Sequence, residues 1–138
     1  MPELTSMVVV GVDGSAQSMA ALKWADSYAT TTGARLRIVT TWVWPLNYGS
    51  AFGYEGLTPG ADALSVLEKA RAELTIPETR VETVCREGGA GPVLVAESKD
   101  AALLVVGSHG FGAIGRVVLG SVSNHCVNHA SCPVLVVR

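Results

Sequence analysis

Segments rich in β-branched and other apolar residues alternate with segments of helical periodicity along the chain, and this alternation limits the fold more than any other feature. Short continuous apolar segments are typical of strands buried on both faces of a sheet. The pattern predicts strands at 7–12, 36–43, 79–86, 101–106 and 133–137, with helices at 16–32, 61–74, 92–99 and 122–129 between them. Repeated β-α-β units need right-handed crossovers, which place helices on both faces of a parallel sheet. The sequence therefore predicts one α/β domain over 1–138, built on a doubly wound, five-stranded parallel sheet.

Local signals mark the helix ends within this pattern. Ser15 is a candidate N-cap of the first helix, and Gly33 provides a left-handed stop for it. Pro92 suits the first position of the third helix, where a missing N–H group has no partner to lose. Ala21, Trp24, Ala25 and Tyr28 stand at helical spacing in the first helix, so we expect an apolar face that includes these four residues.

The composition excludes several classes of protein. Ten Lys and Arg against twelve Asp and Glu give a net charge of −2 without a basic cluster, so binding to DNA or RNA is not expected. The longest apolar segments are far shorter than the ~20 residues that cross a bilayer. The first five residues also lack a basic segment followed by a signal core, so we expect a cytoplasmic protein without a membrane span. The three cysteines, Cys85, Cys126 and Cys132, have no paired spacing and are expected to be reduced and mostly buried.

A glycine series follows the fourth predicted strand. Gly107 and Gly110 are followed after nine residues by Gly120 and Ser121. Glycines after a strand let the backbone approach a phosphate closely, and the N–H groups of a helix N-terminus supply donors without a cationic side chain. The ends of the first and second strands are expected at the same edge of the sheet. The series thus predicts a phosphate site at this edge, with a tight βα turn as the structural alternative.

Two better-known phosphate motifs do not fit this segment. Residues 110–115 contain a G-x-G-x-x-G match, but the dinucleotide fingerprint also needs an acidic residue about 20 positions later, and no Asp or Glu follows Asp100. A Walker-type loop needs a lysine before its final Ser or Thr, and none stands before Ser121. Because the usual machinery for fast phosphoryl transfer is missing, the sequence favours binding over hydrolysis.

Three segments together resemble the universal stress protein family, specifically its ATP-binding branch. They are VGVDGS at 10–15, the G-x2-G-x9-G-[ST] spacing at 107–121, and SCPVLVV at 131–137. These segments bracket almost the whole chain in the expected order, and the long glycine spacing is quite specific. The resemblance implies a Rossmann-like fold of the adenine nucleotide alpha hydrolase type with ATP as its ligand.

The resemblance also implies which residues form the nucleotide pocket. Asp13 would contact the nucleoside, and the backbone around Thr40 and Thr41 would border the adenine. Ribose and phosphates would be held by Gly107, Gly110, Gly120, Ser121 and Ser123, and the predicted site also includes Ser108, His109, Arg116 and Val122. Beside the resemblance, Asp13 is a candidate ligand for Mg²⁺ bridging the phosphates, and the permanent charge of Arg116 makes it a phosphate candidate.

Members of the family commonly dimerise through their last strand. Here that strand runs from Pro133 to Val137, and an apolar strand at a sheet edge would promote aggregation if left unpaired. The resemblance therefore implies a homodimer. The alternative is an edge that a loop of the same subunit protects.

Three further features are open to more than one interpretation. His109 is a candidate phosphate ligand or proton donor, although a lone histidine more often forms local hydrogen bonds. His125 and His129 stand four residues apart, but without a carboxylate or CxxC pair they favour surface or helix-capping roles over a metal site. The aromatic loop at 45–60 is a candidate lid, with surface packing favoured over that role.

Together these features predict an ATP-binding universal stress protein that acts as a nucleotide-dependent stress or signalling module with at most slow hydrolysis. One alternative is a dimeric interaction protein of the same fold that does not use the nucleotide. Another is a slow ATPase that uses His109 or Asp13.

Overall fold

The computed structural model describes residues 6–44, 56–109 and 119–138. The predictions for Gly110, Arg116, the G-x-G-x-x-G match and most of the aromatic loop fall outside these ranges. The end of that loop was placed wrongly, because Pro59 and Gly60 begin a helix instead. The fixed φ of proline is compatible with a first helical position, which explains why the helix starts there.

The alternating strands and helices predicted from the sequence are confirmed. In chain order the elements are β1 Met7–Gly11, α1 Ala16–Thr32, β2 Arg35–Trp42, α2 Pro59–Ala72, a 3₁₀ turn Glu78–Arg80, β3 Val81–Glu87, α3 Ala90–Glu97, β4 Leu103–Gly107, α4 Ser121–His129 and β5 Val134–Val137. None of the helices in the described ranges has the length and apolar character that a membrane crossing requires.

The five strands form one parallel sheet in the order β3-β2-β1-β4-β5. β1 lies at the centre, where Val9 pairs with Arg37 of β2 and with Leu104 of β4. From β1 the chain first builds outwards through β2 and β3, then returns to the other side for β4 and β5. The switch point of the sheet therefore lies between β1 and β4, where ligands of open α/β sheets bind.

Side chains alternate between the two faces of the sheet and divide the core into two clusters. Val8, Val10 and Ile38 point to the face that α1 and α2 cover. Val9 and Val39 point to the opposite face, where Leu94 of α3 and Cys126 of α4 complete the core. Odd-numbered residues of β2, such as Val39, therefore lie on the face of the sheet that α3 and α4 cover.

Helix α1 begins and ends where the sequence predicts. The Ser15 hydroxyl accepts a hydrogen bond from the Ser18 amide at 3.3 Å, and Gly33 ends the helix with a φ of +80°. Ala21 and Ala25 are buried on the packing face as predicted, but the prediction is wrong for Trp24 and Tyr28, which are 37% and 39% exposed. They stack on each other with centroids 5.1 Å apart, while small residues such as Ala21 and Ala25 fill the buried face.

Two smaller predictions also need correction. Helix α3 begins at Ala90, so Pro92 occupies its third position rather than its first. Proline is tolerated there because the amides of the whole first turn lack intrahelical partners. Of the three free cysteines only Cys126 is buried, whereas Cys85 and Cys132 are half-buried.

Candidate functional site

A cavity of about 300 Å³ opens at the switch point, where the carboxyl ends of β1 and β4 diverge. This volume lies at the lower end of the ~300–1,000 Å³ range of small-molecule sites. Its described walls come from β1, β2, β4, α1, α3 and α4 and from the turns that follow the strands. They are Gly11, Val12, Asp13, Ser18, Val39, Thr41, Ala90, Leu94, Val106, Gly107, His109, Gly120, Ser121, Val122 and Ser123.

Two glycines bring the elements around the cavity close together. A Cβ atom on Gly107 would lie 2.9 Å from the backbone carbon and oxygen of Gln17, so the start of α1 packs directly on the end of β4. A Cβ atom on Gly11 would lie 2.7 Å from Cδ1 of Leu94, which packs α3 against the end of β1. Gly107 therefore has a packing role of its own, whether or not a ligand is bound.

Hydrogen bonds tie together the two ends of the glycine series. The Gly120 amide donates to the Ser108 carbonyl oxygen at 2.7 Å, and the Ser123 hydroxyl donates to the same oxygen at 2.9 Å. Gly120 also packs closely here, since a Cβ atom on it would lie 3.2 Å from Cα of His109. Residues 109 and 120 are therefore held side by side at the start of α4.

The N-terminus of α4 lies in the cavity wall and has no side-chain cap. Its N-cap residue is Gly120, which has no side-chain oxygen to accept from the amides of the first turn. Ser121, Val122 and Ser123 form that turn and all line the cavity. Uncapped amides and the positive end of the helix dipole together favour an anion at this point.

The N-terminus of α1 behaves differently, although it lies at the same edge of the sheet. Ser15 caps it, and the Ser15 amide itself donates to Oδ1 of Asp13 at 2.9 Å. The Asp13 amide donates to the Ser18 hydroxyl at 3.2 Å. This turn fixes Asp13 at the cavity wall with its side chain exposed. Of the two helix ends, α4 is thus the one that can receive an anion.

Charge in the described cavity wall is sparse. Asp13 is its one carboxylate, and neither Lys nor Arg occurs among the described lining residues. His109 also lines the cavity, with Nδ1 3.3 Å from the Ser108 hydroxyl oxygen. Val39 of β2, Leu94 of α3 and Val106 of β4 form an apolar part of the wall. The cavity therefore combines an apolar wall with an uncapped helix N-terminus that favours an anion and carries few charged side chains around it.

The two threonines of β2 have different roles. Thr41 lines the cavity. Thr40 is 3% exposed, and its hydroxyl donates to the Val12 carbonyl oxygen at 2.9 Å. Because adjacent strand residues point to opposite faces, the Thr40 side chain serves the packing of β1 against β2, and Val39 joins Thr41 at the cavity.

Most of the described residues predicted for the site converge on the cavity. Those that line it are Asp13, Thr41, Gly107, His109, Gly120, Ser121, Val122 and Ser123. Thr40 and Ser108 are not among the lining residues, and Ser108 is buried behind the wall. Sequence reasoning missed Gly11, Val12, Ser18, Val39, Ala90, Leu94 and Val106. The two-residue period of β2 could have placed Val39 beside Thr41 at the cavity, but the positions of Ala90 and Leu94 of α3 depend on tertiary packing.

An open parallel sheet with a lined cavity at its switch point defines a class of α/β domains that hold ligands in the loops after their strands. A model of the universal stress protein family matches residues 6–138, almost the entire chain. The chain belongs to the universal stress protein family.

Curated relatives agree with this assignment. The chain is 35% identical to a universal stress protein of Mycolicibacterium smegmatis and 32% identical to universal stress protein Rv2624c of Mycobacterium tuberculosis. Each alignment covers 95% of this chain and 47% of the relative. The chain thus spans about half the length of the curated relatives it matches.

Solved structures share the fold. Universal stress protein UspA from Lactobacillus plantarum is 24% identical, with a TM-score of 0.75 over 99% of this chain and 100% of that one. A universal stress protein solved in complex with cAMP is 28% identical, with a TM-score of 0.67 over 99% of this chain and 98% of that one. The predicted α/β architecture with a parallel sheet is confirmed.

Proposed function

We propose that this chain binds an adenine nucleotide in the switch-point cavity. The observation that carries this proposal is the uncapped N-terminus of α4, which opens beside an apolar wall. A nucleotide needs both surfaces, because its base is flat and largely apolar at its faces while its phosphates are anionic. In the proposed pose the base lies against Val39 and Leu94, and the phosphates lie at the amides of Ser121 to Ser123. The solved relative in complex with cAMP supports this ligand class.

Within that class we propose ATP as the ligand, with Mg²⁺ between its phosphates and Asp13. Asp13 is exposed at the wall and supplies a carboxylate oxygen, the type of ligand that Mg²⁺ prefers. One carboxylate leaves most of the octahedron to phosphates and water. The sequence has no Walker lysine, and the described cavity wall contains neither Lys nor Arg, so hydrolysis is at most slow. The protein would then act in the cytoplasm as a nucleotide-dependent stress or signalling module, a role supported by its family membership.

Calorimetry with and without Mg²⁺ tests this function. ATP, AMP and cAMP should be compared with GTP, which has the same phosphates on a different base. The proposal predicts that ATP binds at one site more tightly than GTP and that any nucleotide retained through purification is an adenine nucleotide by mass spectrometry. Equal binding of ATP and GTP would contradict the role of the apolar wall. If none of the four nucleotides binds, the proposal is overturned.

We also propose that two copies associate through β5. This strand lies at the edge of the sheet, and its four residues Val134–Val137 are all half-buried. The Leu104 and Ser108 amides donate to the carbonyl oxygens of Pro133 and Val137, so the odd-numbered residues of β5 face β4. In a parallel ladder the amides of Val134 and Val136 then point to the free edge. That edge can pair with the same edge of a second copy.

Sedimentation of Val136→Pro tests the dimer. Proline at position 136 removes an N–H group that faces the free edge, but it removes no hydrogen bond to β4. The subunit should therefore stay folded while the dimer dissociates. The wild-type chain is expected to sediment as a dimer and the variant as a monomer at the same concentration. A wild-type monomer, or a variant that remains dimeric, would contradict pairing through β5.

A further inference from the structure

Two histidines of α4 lie side by side, away from the cavity. The ring centroids of His125 and His129 are 4.5 Å apart, with an angle of 40° between the ring planes. The four-residue spacing places both side chains on one face of the helix. His125 is half-buried and His129 is exposed, so solvent can reach the pair.

The neighbouring helix α3 fixes the position of the His125 ring. A Cβ atom on Gly91 would lie 2.8 Å from both Cγ and Cδ2 of His125, so the ring packs directly on the backbone of α3. A ring held in this way loses little freedom when it binds a ligand. The first histidine of the pair is therefore preorganised, and His129 needs to order only its own side chain.

The nitrogen atoms of both rings are available for a ligand. Within the described residues neither imidazole forms a hydrogen bond or an ion pair, and each ring contacts the other. The adjacent Asn128 does not compete for them, since its amide group donates to Asn124. Cys126 lies between the histidines in sequence, but its thiol is buried on the opposite side in the core.

The chemistry of this pair selects one class of ligand. Neutral imidazole is a good ligand for Zn²⁺, Ni²⁺ and Cu²⁺, whereas Mg²⁺ and Ca²⁺ require oxygen ligands. No Asp or Glu follows Asp100 in the sequence, so α4 supplies no carboxylate. His129 is in the last turn of α4, where the negative end of the helix dipole favours a cation.

We propose that His125 and His129 form a two-histidine chelating site for a divalent transition-metal ion such as Ni²⁺, Zn²⁺ or Cu²⁺. The described residues contain no group of three or more metal-ligating side chains, so the remaining positions of the metal go to water or to a ligand from outside. The site does not depend on the nucleotide cavity, which contacts the first turn of the same helix.

Titration with Ni²⁺ at about pH 7.5, followed by calorimetry and by NMR of the histidine ring protons, tests the proposal, since metal binding favours high over low pH. The test variant is His129→Asn. The matched control is Val127→His combined with His129→Asn, which keeps the number of histidines but moves one to a different face of α4. Val127 is exposed, so this change should not disturb the core. Melting in the presence of EDTA checks that both variants are folded.

The proposal predicts one Ni²⁺ per chain, with shifts at both rings and an affinity about a hundredfold lower in His129→Asn and in the control, because each loses the chelate effect. Equal Ni²⁺ affinity in wild type and His129→Asn would overturn it. Wild-type Ni²⁺ affinity in the control with the relocated histidine would overturn it as well, because two histidines on different faces of α4 would then be sufficient.

Discussion

The Gly120 amide donates a hydrogen bond to the carbonyl oxygen of Ser108 over 2.7 Å, and this bond joins the two ends of the glycine series. It holds the first turn of α4 against the end of β4, beside the cavity. The proposed anion site and the end of β4 are therefore fixed relative to each other by a hydrogen bond within the protein.

Ser123 contributes a second bond to the same oxygen and is 1% exposed. Ser123→Ala removes a buried hydroxyl donor but leaves the Gly120 bond to the Ser108 carbonyl. We expect the free energy of unfolding to fall by about 1 kcal/mol. Urea unfolding measures it, and Ser121→Ala, at an exposed position of the same turn, is the control. A loss as small as that of the control would show that the Ser123 bond does not stabilise the loop.

A substitution of Gly107 tests whether α1 approaches β4 closely. In Gly107→Ala the new methyl group would lie 2.9 Å from the backbone of Gln17, which cannot move aside as a flexible side chain can. We expect destabilisation by about 1–3 kcal/mol, typical of overpacking. In the control, Gly89→Ala, the nearest atom is Cδ of Pro92 at 3.5 Å, an ordinary contact. Similar melting temperatures for the two variants would contradict this role for Gly107.

Gly91 and His125 should show strong energetic coupling. Gly91→Ala alone places a methyl group against the His125 ring, so it should destabilise the protein by about 1–2 kcal/mol. In a His125→Gly background both the ring and its Cβ, which would lie 3.0 Å away, are gone, and the same change should stabilise α3 by about 0.5–1 kcal/mol because alanine is a better helix former than glycine. A double-mutant cycle by urea unfolding measures the change of sign. Additive effects would show that the two residues do not meet.

The Cys126 thiol should make stability sensitive to alkaline pH. Burial, and to a smaller extent the nearby Cys132, raises the pKa of Cys126 from 9.0 to about 11. Between these values the folded protein keeps a proton that the unfolded chain has lost. The stabilisation is complete below about pH 9 and is lost as pH rises towards 11.

The free energy of unfolding measured by urea across this range checks that expectation. Cys126→Ala should lower stability through lost packing but reduce its decline with pH. Cys85→Ala leaves Cys126 in place and should retain the wild-type decline. If all three proteins decline equally, Cys126 does not cause the pH dependence.

Local signals explain which parts of the fold could be predicted from the sequence. Ser15 and Gly33 act within one helix turn, so their roles as caps can be read from neighbouring residues. The exposure of Trp24 and Tyr28 could not be read in this way, because small residues beside them fill the space under α1. Sheet order is likewise a long-range property, although strict β-α-β alternation was enough to predict a parallel sheet.

The same difference between local and long-range signals decides which parts of the candidate site could be predicted. The position of Gly120 and Ser121 at a helix start follows from spacing, and both residues line the cavity. Thr40 and Thr41 point to opposite faces because they are adjacent in β2, but which of them faces the cavity depends on how β2 packs in the sheet, where the Thr40 hydroxyl donates to the Val12 carbonyl oxygen. Leu94 reaches the cavity through the helix that packs on Gly11, a contact without any local sequence signal.

ATP affinity of Ser121→Asp is the most direct test of the proposed phosphate position. An acidic residue in the first turn favours helix α4 by about 0.3–1 kcal/mol, so weaker binding could not be attributed to a weaker helix. The matched control is Asn124→Asp, which adds the same charge at an exposed residue that does not line the cavity. We predict that calorimetry shows a loss of about tenfold or more in Ser121→Asp and a much smaller loss in Asn124→Asp. Equal ATP affinity in Ser121→Asp and wild type would contradict phosphate binding at the N-terminus of α4.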